Sequence, residues 1–550
     1  MLSTPPYVTL DDDFWQPSSK SLKLTRLPVL TSTYARSHPH ETIKSHYEQV
    51  KALCQAHVLE VACRSDQPPV VRRHDPNWVT VKSRRGHHCA VHEIQRLMDF
   101  DVSFLCNHRG IYMPTELGHG LDARNLQTVA TLLPDGGFDL HTPTPAAAKC
   151  MPVATPISGL QKIATVFARL HVNGQDHCAR GFVVQLNVGS QMAEGITAKL
   201  LPNRAGSTYL DHAITVFNHV RLPKNALLGE IRKIPVSEQD QFSSLIWRVP
   251  VGTFSLAMAS VPTLKICSSI AARYAMKRRV GHSVAEEGLP ITHFRTQQIP
   301  IFHAIAQASV LAEYATCAVQ NFTDRRLDPR VRHAHAMFFK TIAMAQTLES
   351  TRTLSLEMGW RGFSGDNQII RAEYRGNKIA EGDTTVLCIR LASDILLGKV
   401  AIHPLCPLAK HESVLLNEAQ VLLKECGGNF RSPASNRHLL PRCQALVEAI
   451  GFRMAYEAAR DAHIDPVILK LYEMGATKSD LACYVEHKLL TRREVFDIED
   501  KCISALVPRI NELLDKMDMD AYCDAPIISD EKWDSFLSTL DTFSGGSVLC

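Results

Sequence analysis

Apolar positions along this chain follow two rhythms. From about Phe104 to Leu228 they come in short runs bounded by turns, and after Ser237 they recur at three-and-four spacing over long stretches. The first rhythm predicts strands. "VFARLHVNGQDHCARGFVVQLNV" reads as two strands around Asn173-Gly174, a dipeptide suited to a tight hairpin because both residues accept positive φ. "AITVFNHVRLP" adds a strand ending at Pro223. The second rhythm predicts bundle helices in "VPTLKICSSIAARYAMKRR", "RTQQIPIFHAIAQASVLAEYATCAVQNF" and "VRHAHAMFFKTIAMAQTLESTRTLSLEM". A fourth helix follows "KIAEG": Asp383, Thr384 or Thr385 caps it, Leu387, Leu391 and Ile395 form its stripe, and Gly398 ends it. Further helices run from about Leu408 to Met517, and one earlier helix is predicted from about Thr42 to Ala62.

This pattern predicts an α+β chain in four parts: a short amino-terminal helical region (1–103), a central β-domain (104–235), a helical bundle (236–405) and a second helical domain (406–550). At 550 residues, with 45% hydrophobic and 21% charged residues, the chain is long enough for several cores. Its 60 basic and 56 acidic residues nearly balance and no long single-sign run occurs, so no nucleic-acid partner is expected. Sixteen cysteines without a CxxC pair read as reduced thiols. The uncharged run Val249 to Leu264 contains prolines and hydroxyls and falls short of the roughly 18 apolar residues of a span, so no membrane helix is predicted. The terminus "GSVLC" is not a peroxisomal address of the S-K-L type, which leaves the cytoplasm as the expected compartment.

The chain contains neither GxGxxG nor GxxxxGK[ST]. His87, His88, Cys89, His92 and Glu93 include an i, i+4 histidine pair, but the order is not HExxH and the cluster reads as a basic surface helix. His333 and His335, two apart on a helix, do not face one another, so no metal site is predicted. Glu381 is followed at once by Gly382 and the capping residues of a helix start. By position alone that describes an ordinary acid favoured at the positive end of a helix dipole.

Three stretches in order, "TELGHG", "RR…FRTQQIPIF" and "EGDTTVLCIRLASDILLGK", resemble the acyl-CoA oxidases, the longer branch of the acyl-CoA dehydrogenase superfamily of flavoproteins. "TPTPAAAKCMP" is similar to the oxidase stretch S-P-T-x-x-x-x-K-W-W-P. The resemblance implies a β-barrel-like domain, a flavin-binding helical bundle and a second helical domain. It also implies bound FAD, a homodimer, and α,β-dehydrogenation of an acyl thioester. In that chemistry a carboxylate takes the α-proton and the β-hydride passes to the flavin, while a ribityl hydroxyl and the backbone amide of the glutamate steady the thioester oxygen.

Carried onto this sequence, the catalytic base is Glu381. Thr115 and Gly118 support the flavin ring, with Val153 beside it. Arg278 or Arg279, with Gln297 or Gln298, reach the diphosphate and adenosine, in this family often across a dimer interface. Asp383 and Thr385 complete the cofactor contacts. Gly382 lets the chain turn tightly enough for Glu381 to point back into the cavity.

The chain departs from the family at Ala380, Thr384, Val153, Cys150 and Met151, and in "MGWRGFS", where Trp360 and Arg361 replace small or neutral residues. The family places these around the flavin or substrate, so a changed substrate is expected. Two alternatives follow: a CoA-free tailoring oxidase or cyclase acting on a polyketide-like metabolite, and a non-catalytic scaffold that has lost flavin. The amino-terminal helical domain of the family is expected to be cut short.

Overall fold

The structure is a computed structural model, and it describes residues 108–120, 122–202, 210–231, 248–281, 288–364, 373–400 and 408–543, with isolated residues between them. Of the helix expected near 42–62 only Lys44 is described, as helical, and the histidine cluster at 87–93 lies outside the described residues. The fold is mixed α and β, as the two rhythms predict. The described chain divides into two compact units: residues 108–255 with the short segment 379–383, and residues 256–378 with 384–543.

The first unit is built on eleven strands: β1 (His108–Met113), β2 (Val129–Leu132), β3 (Phe138–His141), β4 (Lys149–Cys150), β5 (Gln161–Val172), β6 (Gln175–Gln185), β7 (Asn187–Val188), β8 (Gln191–Met192), β9 (Ile196–Leu200), β10 (Ala213–Phe217) and β11 (Val220–Leu222). Its larger sheet runs β1-β5-β2-β3-β11, with β6 also on β5. The long strand β5 carries β1 and β2 in parallel at successive stretches, from His108↔Gln161 to Met113↔Val166 and from Val129↔Arg169 to Thr131↔His171. The β5–β6 hairpin turns at Asn173 (φ 51°) and Gly174 (φ 79°), the dipeptide that the sequence marks. A second sheet, β4-β10-β9, completes the unit. Alternate residues of these strands, among them Phe138, Leu140, Val166, Leu170, Phe182 and Phe217, form one buried core. Helix α1 (Arg248–Met258) begins in this unit.

Among the described residues the second unit is helical apart from the two-stranded ribbon of β12 (Arg279–Val280) and β13 (Leu289–Pro290). Helices α2 (Ser260–Lys277), α3 (Arg295–Thr323) and α4 (Pro329–Glu357) pack on one another. The short α5 (Glu373–Ile379) precedes α6 (Thr384–Leu396), α7 (Ala409–Glu425), α8 (Pro433–His438), α9 (Cys443–Asp461), α10 (Pro466–Ser479), α11 (Leu481–Glu486), α12 (Arg492–Leu506), α13 (Ile510–Met517) and α14 (Asp530–Ser538). In α6 the predicted stripe is real: Leu387 and Leu391 are buried and Ile395 packs beside them, in a core shared with Phe338 of α4 and with Leu446 and Ile450 of α9.

Helix α2 is buried on nearly all sides, yet carries several hydroxyls. Thr263, Ser268 and Ser269 return theirs to the carbonyls of Ala259, Leu264 and Lys265, four residues back, which satisfies polar atoms that water cannot reach. By length and composition Val249–Lys277 would suit a membrane span, but 89% of its most apolar window is buried within the protein. Core burial accounts for its hydropathy.

Cys388, Cys443 and Cys483 are buried free thiols. Burial pushes them up to about 12, about 11 and about 11 respectively. On α4, burial holds His335 down at about 4, and burial with the nearby Arg390 charge holds His333 at about 3. Enclosed ring nitrogens of both, Nε2 of His333 and Nδ1 of His335, have no hydrogen-bond partner among the described residues. These imidazoles are core groups kept neutral. Their folded values lie below the ordinary 6.5, so the unfolded chain takes up protons first as pH falls, and stability is lost from about pH 6.5 downward. At pH 5 each should cost about 2 kcal/mol relative to pH 7.5, on the order of 4 kcal/mol for the two together. Urea midpoints of the parent and of His333→Gln/His335→Gln at both pH values test this, since the variant should show a shallower pH slope.

Candidate active site

Two stretches far apart in sequence form a single piece of structure. The segment after β1 lies antiparallel to the one entering β4, with Leu117 donating from its amide to the carbonyl of Ala148, Gly118 to that of Ala146, and Cys150 to that of Thr115. Glu116 and Lys149 face each other across this bridge. Their side chains are 1% and 0% exposed, and Lys149 Nζ lies 3.0 Å from Glu116 Oε1. The amide and hydroxyl of Thr128 donate to the same oxygen at 2.8 and 2.6 Å. Oε2 accepts the amide of Gln127 at 2.7 Å and pairs with His119 Nδ1 at 3.1 Å. Lys149 Nζ also donates to the Phe167 carbonyl of β5.

Burial raises the Glu116 carboxyl, but the Lys149 charge and the hydrogen bonds from Thr128 and Gln127 outweigh it and leave the group below its ordinary value. Burial draws Lys149 down to about 8 against the pull of Glu116. A buried pair with every lone pair engaged is the arrangement in which Coulomb attraction offsets desolvation.

On this piece Thr115 is half-buried and Gly118 exposed. A Cβ added at Gly118 would meet that of Ala146 at 2.8 Å, so the close approach of the two segments needs glycine there. Val153 packs at the edge of the β core and its carbonyl accepts from the buried Lys162 Nζ, which also pairs with Asp211. Sequence reading fixed on Thr115 and passed over Glu116 and Lys149. The signal for them was the charge that each of the two motifs retains beside apolar residues.

Glu381 also belongs to the first unit. It stands in the turn between α5 and α6 with φ 55°, followed by Gly382 at φ 97°. Left-handed backbone costs a non-glycine residue about 1–2 kcal/mol, so surrounding contacts must hold it. One such contact is Thr253 of α1, whose hydroxyl lies 2.5 Å from the Glu381 carbonyl and 2.9 Å from that of Val249. The Glu381 side chain reaches Gly252 of the same helix.

In the second unit Arg278, Arg279, Gln297 and Gln298 come together around one turn. Arg278 caps α2 and its carbonyl accepts from Ile291. Arg279 opens β12 and its guanidinium donates to the carbonyl of Gly288. Gln297 donates to Glu357 at 2.6 Å, and the buried Gln298 donates to the Thr292 carbonyl at 2.7 Å. Both arginines are exposed. Thr385 is exposed and Asp383 half-buried at the start of α6, whereas the Thr384 hydroxyl is committed to the Lys378 carbonyl at 2.8 Å. Among the departures, Arg361 lies between two indoles, 5.1 Å from the ring of Trp360 and 5.4 Å from that of Trp533. Trp360 itself is 65% exposed.

The matching family model is that of the acyl-CoA oxidase C-alpha1 domain, over residues 252–396. The putative peroxisomal acyl-coenzyme A oxidase 1.2 of Arabidopsis thaliana is 28% identical over 309 residues, covering 52% of this chain and 46% of that protein. The human peroxisomal acyl-coenzyme A oxidase 3 is 24% identical over 323 residues, covering 53% and 45%. These matches thus span about half the length of the relatives. In structure the chain resembles acyl-CoA oxidase 1 of Yarrowia lipolytica, with TM-score 0.76 and 18% identity over 96% of this chain and 91% of that one. It also resembles Caenorhabditis elegans acyl-CoA oxidase-1 complexed with FAD and ATP, with TM-score 0.75 and 18% identity over 96% and 92%.

Glu116→Gln should cost about 3–5 kcal/mol of unfolding free energy by stranding the buried lysine charge, and Glu116→Gln/Lys149→Met should recover part of the loss. Chemical denaturation checks both, and a cost below about 0.5 kcal/mol for the single variant would deny the pair its structural role.

Proposed function

Because the chain belongs to the acyl-CoA oxidase/dehydrogenase superfamily, we propose that it is an FAD-dependent oxidoreductase that desaturates an acyl-CoA thioester between its α and β carbons. The observation that carries this reading is Glu381, a carboxylate held in a left-handed Glu-Gly turn. Bound FAD supplies the hydride acceptor. The donor set of the chain fits that group: guanidiniums suit a diphosphate because they pair with it in a bidentate manner, and the glycine-bearing loop at Thr115–Gly118 suits a flat ring. Thr115, Gly118 and Val153 would serve the ring side. Arg278, Arg279, Gln297 and Gln298, of this copy or of a second one in a homodimer, would serve the diphosphate and adenosine, with Asp383 and Thr385 at the base of α6.

The chemistry asked of the protein is removal of a weakly acidic proton. Glu381 takes the α-proton on a carboxylate oxygen, and its own backbone amide donates to the thioester oxygen as negative charge develops there. The first unit holds the proton acceptor, so a rigid β core keeps the carboxylate in register with the reacting carbon.

The relatives are named for acyl-coenzyme A oxidation, which favours a coenzyme A thioester over a CoA-free metabolite. A changed acyl group is still proposed. Trp360 and Arg361 put an aromatic and a cation where the family pattern has small or neutral residues.

Purified protein should carry the visible absorbance of oxidised flavin, and acyl-CoA thioesters should bleach it without air. Glu381→Gln should retain the cofactor and slow that bleaching on the order of 10²–10⁴-fold. Reduction at the parent rate would remove Glu381 from the role of base.

A further inference from the structure

Helix α1 carries a glycine, Gly252, in its interior. Glycine there forfeits helix propensity relative to alanine, because it gains most from the unfolded chain's freedom. The position has a use that alanine could not serve. A Cβ built on Gly252 would lie 2.6 Å from Glu381 Cδ, 2.6 Å from Oε2 and 2.9 Å from Cγ. Real side chains do not approach so closely, so the carboxyl of Glu381 occupies the space that a side chain at 252 would fill. The next residue, Thr253, is fully buried, and its hydroxyl proton is shared between the carbonyl of Val249 within the helix and that of Glu381.

We propose that Gly252 and Thr253 are positioning residues: the Thr253 hydroxyl pins the main chain of Glu381 in its left-handed conformation, and the bare Cα of Gly252 seats its carboxylate. One helical turn thereby fixes both ends of a side chain with three rotatable bonds. Threonine and glycine are adjacent because the backbone and carboxyl of one residue must be met at neighbouring points on one helix face. The catalytic consequence rests on the reading of Glu381 as the base; the seat itself does not.

A double-mutant cycle on the full chain tests the seat without reference to activity. With Glu381 in place, Gly252→Ala should leave the thermal midpoint unchanged or lower it, because the added methyl meets the carboxyl. In the Glu381→Ala background the same change should raise the midpoint by roughly 1–3 °C, the ordinary gain from alanine within a helix. A similar rise in both backgrounds would overturn the proposal. If the single variant fails to fold, folding of Gly252→Ala/Glu381→Ala supports the clash, and failure of that double variant too overturns it. In the flavin-loaded protein, Gly252→Ala should slow anaerobic reduction on the order of 10²-fold with the cofactor retained. Thr253→Val should slow it as well and Thr253→Ser should restore it. Full-speed reduction by Glu381→Gln would sink the base assignment while leaving the cycle to decide the seat; an additive cycle with an inactive Glu381→Gln would do the reverse.

Discussion

The loops after β1 and before β4 are joined by an ion pair shut away from water. Glu116 and Lys149 join two loop segments that contain no long strand of their own, and through Thr128 and the Phe167 carbonyl they tie those segments to β2 and β5. Loops of this kind usually run over the surface, because their backbone groups need water. Here the carboxylate and ammonium stand in for water, so that a glycine-bearing loop keeps a fixed shape while Gly118 remains open to solvent. A less complete set of partners would leave a charge stranded in a medium that cannot solvate it.

A different solution holds Glu381. Here shape and a hydroxyl act together, from two consecutive residues of α1. The contrast suits the two tasks. A structural carboxylate is best locked into a full set of donors, and the proposed role of Glu381 asks instead for an oxygen that can take up a proton. The two carboxylates differ in their exposure, Glu116 being sealed and Glu381 half-buried.

Much of this was legible in the residues. The Asn-Gly hairpin, the apolar stripe of α6 and the change from strand to helix rhythm are local properties, encoded within a few residues of where they act. The tie between "TELGHG" and "TPTPAAAKC" was not, because it joins residues 33 apart in sequence, and spacing alone carries no sign of such a pairing. Gly252 was invisible for the same reason. A helical glycine looks like a weak point until the side chain that covers it, 129 positions onward, is seen. Thr384 shows the reverse error: read as a candidate cap, its hydroxyl turns back to the carbonyl of Lys378 at the end of α5.

The thiols of the helical unit have a bearing on durability. Sulfur is attacked by peroxide and related oxidants chiefly as thiolate. Cys388, Cys443 and Cys483 are enclosed and held protonated far above neutrality, so a chain unusually rich in sulfur keeps these three atoms in their least vulnerable form. The same desolvation that packs the bundle thereby keeps these sulfurs out of the form that oxidants attack.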